Sequence, residues 1–177
     1  MRFSRLFLIA SLAVTALLLP SLASADGITW TLEGVTLNDT GTITGTFNYN
    51  ATTNSYSAID ISSTSGSALN GTLYSTLTPA FFSTSTLLGV GPATIPGGNY
   101  AGLTFLELFF TNLLTNSGGT DPVYAVEIYC ANFNCSSQTV RVSTGGTVIG
   151  TVPTSEPTSL LLLASGLLAL TLFRRLA

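Results

Sequence analysis

The sequence predicts an all-β domain, a small antiparallel β-sandwich or barrel-like fold, flanked by an N-terminal signal helix and a C-terminal transmembrane helix. Three observations carry this. Residues 26–151 alternate apolar and hydroxyl-bearing side chains with a period of two. Turn-forming clusters of Asn, Asp, Gly and Pro recur at intervals of roughly ten residues. Charged residues make up only 7% of the chain, where roughly 25% is typical, so its polar positions are mostly Thr, Ser and Asn.

Residues 1–25 have the three-part layout of a secretory signal. Arg2 and Arg5 make a positive start, residues 6–19 are an apolar run, and Pro20 breaks it. Ala23, Ser24 and Ala25 supply the small residues of a cleavage site, so the mature chain is expected to begin at Asp26.

In the β domain, Ile28, Trp30 and Leu32 share one face of the first predicted strand. Val35 and Leu37 then continue on the opposite parity, which predicts a bulge or bend at Gly34. Ile43, Gly45, Phe47 and Tyr49 form one face of the next strand, and Thr42, Thr44, Thr46 and Asn48 the other. Residues 76–98 are the least regular stretch and read as a long connection or an edge hairpin. "LTFLELFF" (103–110) is apolar on both faces, which predicts a central strand covered on both sides. "VYAVEIYC" and "TVRVST" supply two further strands. Turns are expected at 38–41, 50–54, 70–71, 95–99, 116–119 and at Gly145-Gly146.

Charge excludes one class of partner. Residues 26–151 contain Arg141 as their single base against seven acids, a net charge of −6. Nothing there neutralises a run of phosphates, so no nucleic acid is expected as partner. The chain has no His and no Lys, which removes most general-base and nucleophile arrangements. A carboxylate pair of Glu107 and Glu127 is the remaining catalytic option. The plainer reading has one of them facing solvent and the other pairing with Arg141. Asp39, Asp60 and Asp121 offer loop oxygens for calcium, but they are isolated and no D-x-D-x-D-G loop is present. No catalytic residue, cofactor or metal site is therefore expected. Trp30, Tyr49, Tyr56, Tyr74, Tyr100 and Tyr124 are candidates for stacking on sugar rings, though core and cross-strand packing accounts for most such residues.

Cys130 and Cys135 stand in "YCANFNCSS". Export favours a disulfide between them. A redox site would prefer C-x-x-C, and two Cys without His cannot complete a zinc site.

The tail, residues 152–177, is organised differently. Ser155, Glu156 and Pro157 precede a transmembrane segment over 158–173, and Arg174 and Arg175 form a basic tip within 174–177. The apolar run 160–173 spans ~21 Å as a helix, against a hydrocarbon core of ~30 Å. The arginines can snorkel and sit on the cytoplasmic side, which places the β domain outside. The order of short motif, Leu-rich helix and basic cluster at the extreme C-terminus resembles the PEP-CTERM sorting signal of Gram-negative bacteria. Ser155 stands where that motif has its first proline. The resemblance covers residues 152–177. It implies recognition by an exosortase, a membrane transpeptidase, and removal of the tail at or near residues 155–157. It also implies an inner-membrane precursor and a processed form at the cell surface or in the extracellular matrix, associated with exopolysaccharide and biofilm. The opening hairpins and the closing "VRVSTGGTV" section resemble other ectodomains found ahead of such tails, for which no enzymatic activity carries over. The expected function is an exported, non-catalytic surface or matrix protein. The alternative is a retained single-pass membrane protein whose ectodomain binds a carbohydrate or another ligand.

Overall fold

The structure, a computed structural model, describes residues 27–152. The predicted signal and its junction at Ala25 and Asp26 lie outside the described residues. So do Ser155, Glu156, Pro157, the apolar segment 158–173, Arg174 and Arg175.

Eight strands follow one another: β1 (Ile28–Leu37), β2 (Thr42–Asn50), β3 (Ser55–Ser63), β4 (Leu73–Tyr74), β5 (Leu87–Val90), β6 (Thr104–Phe110), β7 (Gly119–Cys130) and β8 (Gln138–Thr151). All pairs are antiparallel, in the order β4-β3-β2-β1-β8-β7-β6-β5. A single bridge between Leu77 and Val90 brings the chain after β4 onto β5, so the sheet is nearly closed into a barrel. The Tyr56 hydroxyl donates to the Thr84 carbonyl at 2.5 Å, a second tie across the seam.

Hydrophobic burial inside this curved sheet drives closure. Trp30, Ile43, Phe47, Tyr49, Ile61, Leu88, Leu106, Leu108 and Val148 point inward and are buried. Each fully buried side chain of this size contributes roughly 1.5–3 kcal/mol. Phe47 of β2 meets Phe110 of β6 at 5.8 Å between ring centroids, so side chains from opposite walls touch in the middle. Outward-facing positions of β2 are hydroxyl-bearing, and Thr44 lies against Ser62 across the β2–β3 pair at 3.4 Å. This accounts for the Thr-rich alternation.

The bulge expected at Gly34 is present. The β1 register shifts between Leu32 and Val35 against β2, and Gly34 has φ +63°. Leu32 and Val35 are both buried as a result. The turn expected at Gly145-Gly146 is corrected: both residues lie inside β8. They mark a second bulge, where the β8 register shifts against β1 and β7. Gly146 has φ +140°, and a Cβ there would sit 2.6 Å from Val35 Cγ2, so only glycine fits. The shift changes parity, so that Arg141 and Ser143 point inward before it and Val148 points inward after it. The irregular stretch 76–98 contains the four-residue strand β5 and a single 3-10 turn, Pro96–Gly98.

The expectation that β6 is covered on both sides holds at one end only. Phe105, on its outer face, is buried beneath Phe81 and Tyr100, with ring centroids 5.8 and 5.9 Å away. Farther along the same face, Glu107 is half-buried and Phe109 is 37% exposed.

A buried arginine network and the adjoining clefts

One end of the barrel interior is charged. Arg141 and Glu127 are both fully buried at 0% exposure, on the paired strands β8 and β7. The Arg141 Nε donates to Glu127 Oε2 at 2.5 Å, and Nη1 donates to Asp39 Oδ2 at 3.0 Å. Asp39 comes from the tight β1–β2 turn. Its Oδ1 accepts the Gly41 amide at 3.1 Å, and its Oδ2 accepts the Ala68 amide at 3.3 Å. The other carboxylate oxygen of Glu127, Oε1, accepts the Ser63 hydroxyl at 2.7 Å and the Tyr74 hydroxyl. The Arg141–Glu127 pair therefore joins five segments: the β1–β2 turn through Asp39 on Arg141, the end of β3 and β4 through Ser63 and Tyr74 on Glu127, and β7 and β8 themselves. Because β3 and β4 lie at one end of the sheet order, the network fastens that margin to the β7–β8 wall across the interior.

Electrostatics follow from this packing. Burial pushes the Asp39 carboxyl upward, but the Gly41 amide, the Arg141 guanidinium and the Ala68 amide together outweigh it and hold it below its ordinary value. Burial alone would lower Arg141, yet the hydrogen bonds and charges of Glu127 and Asp39 raise it. Burial raises Tyr74 far above the ordinary phenol range, and the Glu127 charge beside it adds to the shift. Arg141 Nη2 has no hydrogen-bond partner among the described residues.

The sequence expectation that one glutamate pairs with Arg141 is borne out by Glu127. Glu107 is the outward one, half-buried rather than fully solvated. The two residues sit on the neighbouring strands β6 and β7, where Glu107 is opposite Val126 and Leu106 is opposite Glu127. They project to opposite faces of the sheet, so they do not flank one cleft as a glycosidase pair must. Glu127 already accepts bonds from three side chains and has no exposed surface. The three aspartates weighed for calcium are also dispersed. Asp39 is held by Arg141, Asp121 accepts the Asn112 amide N–H and side chain, and Asp60 is exposed on β3. Among the described residues, no three His, Cys, Asp or Glu groups are placed to hold a metal ion.

Asp39 as a partner of Arg141, and Ser63 and Tyr74 as partners of Glu127, were not anticipated. Val140 and Val142 flank Arg141, so simple alternation would place the valines inside and the arginine outside. The structure inverts this. The available signal was that Arg141 is the single base between the terminal segments. One cation among seven acids tends to be surrounded by them.

Two clefts adjoin this end. One, of about 380 Å³, is lined by loop residues 66–70 with Thr72, Thr104 and Tyr129. The Leu69 carbonyl accepts Arg141 Nη1 at 3.4 Å, so the same loop caps the network. The second, of about 220 Å³, lies between Phe81, Tyr100, Phe105, Ile128 and the cysteines. Cys130 and Cys135 form the expected disulfide, with Cα atoms 4.7 Å apart. Of the candidate stacking residues, Trp30, Tyr49, Tyr56 and Tyr74 are core, while Tyr124 is 48% exposed.

The fold and site thus define a disulfide-bearing, nearly closed antiparallel β-barrel domain with an arginine-centred interior. No protein-family model matches the chain, and neither a curated protein nor a solved structure matches it.

Proposed function

We propose that the chain is an exported, non-catalytic surface or extracellular-matrix protein, sorted through its PEP-CTERM-like tail. The observation that carries this is the tail itself: Ser155-Glu156-Pro157, the Leu-rich run 160–173 and Arg174-Arg175, in that order at the C-terminus. The partners are an exosortase-type membrane transpeptidase, the membrane, and the exopolysaccharide of the matrix. A mostly apolar run of 14 residues, 160–173, is short for a permanent anchor. It is long enough to halt export and present the motif at the outer face.

The β domain supports the reading in two ways. Its disulfide suits a compartment outside the cytoplasm. Its buried ionic groups Arg141, Glu127 and Asp39 pair with one another inside the barrel, which suits a structural role for them. A retained membrane protein with a ligand-binding ectodomain is the second reading, favoured by the exposed Phe109–Tyr124 pair.

The test is Glu156→Ala with Pro157→Ala in a host carrying exosortase. The double variant is expected to accumulate as full-length, membrane-bound protein. Arg174→Ala with Arg175→Ala is expected instead to weaken membrane retention, since the basic tip sets depth and orientation. If the Glu156/Pro157 variant is processed like wild type, the sorting reading fails and the retained-anchor reading replaces it.

A further inference from the structure

The outer surface of the barrel is not uniform. Over β1–β3 it is hydroxyl-bearing. Over β5–β7 it carries Leu87, Phe109 and Tyr124 in one cross-strand row, with Leu87 opposite Phe109 and Phe109 opposite Tyr124. The two rings are 6.2 Å apart and inclined by 42°, and they remain 37% and 48% exposed. Glu107 lies two residues along β6 on the same face, beside this row. It is half-buried and makes no hydrogen bond or ion pair among the described residues. Desolvation raises its pKa, and no neighbouring charge offsets that cost. Two exposed rings thus stand beside an unpartnered carboxylate.

Charge narrows the chemistry this face can hold. Arg141 is the single base among the described residues, and it is fully buried. Among the described residues the accessible surface therefore bears acidic side chains and no basic one, which disfavours an anionic ligand. A second copy of the chain packed face to face about a two-fold axis would bring Glu107 toward its own counterpart, a like-charge contact. The remaining occupant has apolar C–H faces for the rings and a positive group for the carboxylate.

We propose that this face binds an oligomer of amino sugars bearing free amines, with pyranose C–H faces on Phe109 and Tyr124 and an ammonium group on Glu107. Ring stacking and cation–π attraction act together at the aromatic pair. The ammonium–carboxylate contact supplies selectivity for the free amine over its acetamide. The assignment rests on the β5–β7 face alone and is independent of how the tail is processed.

The test titrates the full-length chain in detergent with glucosamine hexamer, followed by calorimetry or Tyr fluorescence. Parallel titrations use N-acetylglucosamine hexamer and oligolysine. Glucosamine hexamer is expected to bind at least about fivefold more tightly than either comparator, and to weaken as salt rises. Glu107→Gln should reduce binding about fivefold and abolish the preference for the free amine. Phe109→Ala with Tyr124→Ala should reduce it about tenfold or more. Each variant is first checked for an unchanged melting temperature, and Tyr124→Phe, which keeps the ring, should retain binding. The proposal is overturned if the two hexamers bind equally, if oligolysine binds as well as the free-amine hexamer, if Glu107→Gln is silent, or if no hexamer binds at millimolar concentration.

Discussion

Replacing Arg141 by Met removes the cation and keeps most of the side-chain volume. The consequence follows from the geometry. Glu127 is fully buried and Asp39 is 6% exposed, and both use Arg141 as their counter-charge. Without it, two carboxylates face one barrel interior with hydroxyls and amides as their remaining partners. Breaking a buried ion pair from one side costs about 3–5 kcal/mol. Against a total stability of about 5–15 kcal/mol, that is a large fraction. For a domain of this length it lowers the melting temperature by roughly 10–20 °C. Thermal unfolding of the full chain, followed by near-UV circular dichroism of the buried Trp30 and Tyr residues, reads the shift. Adding Glu127→Leu to Arg141→Met should recover about half of the loss, because one stranded charge is gone. If Arg141→Met melts within about 2 °C of wild type, the network does not fasten the barrel and the reasoning is wrong.

Two further predictions concern the same domain. Gly45→Ala places a Cβ 2.1 Å from the Asp60 carbonyl at φ +130°, so it should destabilise by more than about 2 kcal/mol in urea unfolding; an unchanged midpoint would refute the close β2–β3 approach. Stability should also fall at both extremes of pH. The folded pKa of Asp39 lies below 3.8, so its contribution is present above that value and is lost as acid protonates the folded state. Tyr56 and Tyr74 are raised above 10.0, so theirs is complete below pH 10 and is lost as pH rises through the folded values. Tyr74→Phe should flatten the alkaline limb of a urea-midpoint profile, and an unaltered limb would contradict the assignment.

Much of the fold was legible because strand alternation is a local signal. Thr between Ile, Phe and Tyr marked β2, and the parity change after Leu32 marked the Gly34 bulge. Gly145-Gly146 misled for a related reason. Gly-Gly is a turn signal when read locally, and only pairing with β1 and β7 shows that β8 continues through it. The glutamate–arginine pair was legible from charge scarcity, since one base among many acids has few alternatives. Asp39 was not, because its partner lies 102 residues away and its own neighbourhood reads as an exposed turn. The outer face of β6 was read as covered because Phe105, Glu107 and Phe109 are equivalent by alternation. What separates them is where Phe81 and Tyr100 land, and that depends on the path of a long irregular segment. The reading of the tail, which lies outside the described residues, rests on the order and spacing of its residues alone.

The central claim, that the tail is a sorting handle, is tested most directly by intact-mass and C-terminal peptide analysis of the mature protein from its native host. The account predicts a chain that begins at Asp26, carries the Cys130–Cys135 bridge and ends at or near residues 155–157. Recovery of a mature species that retains residues 158–177 through Ala177 would contradict it.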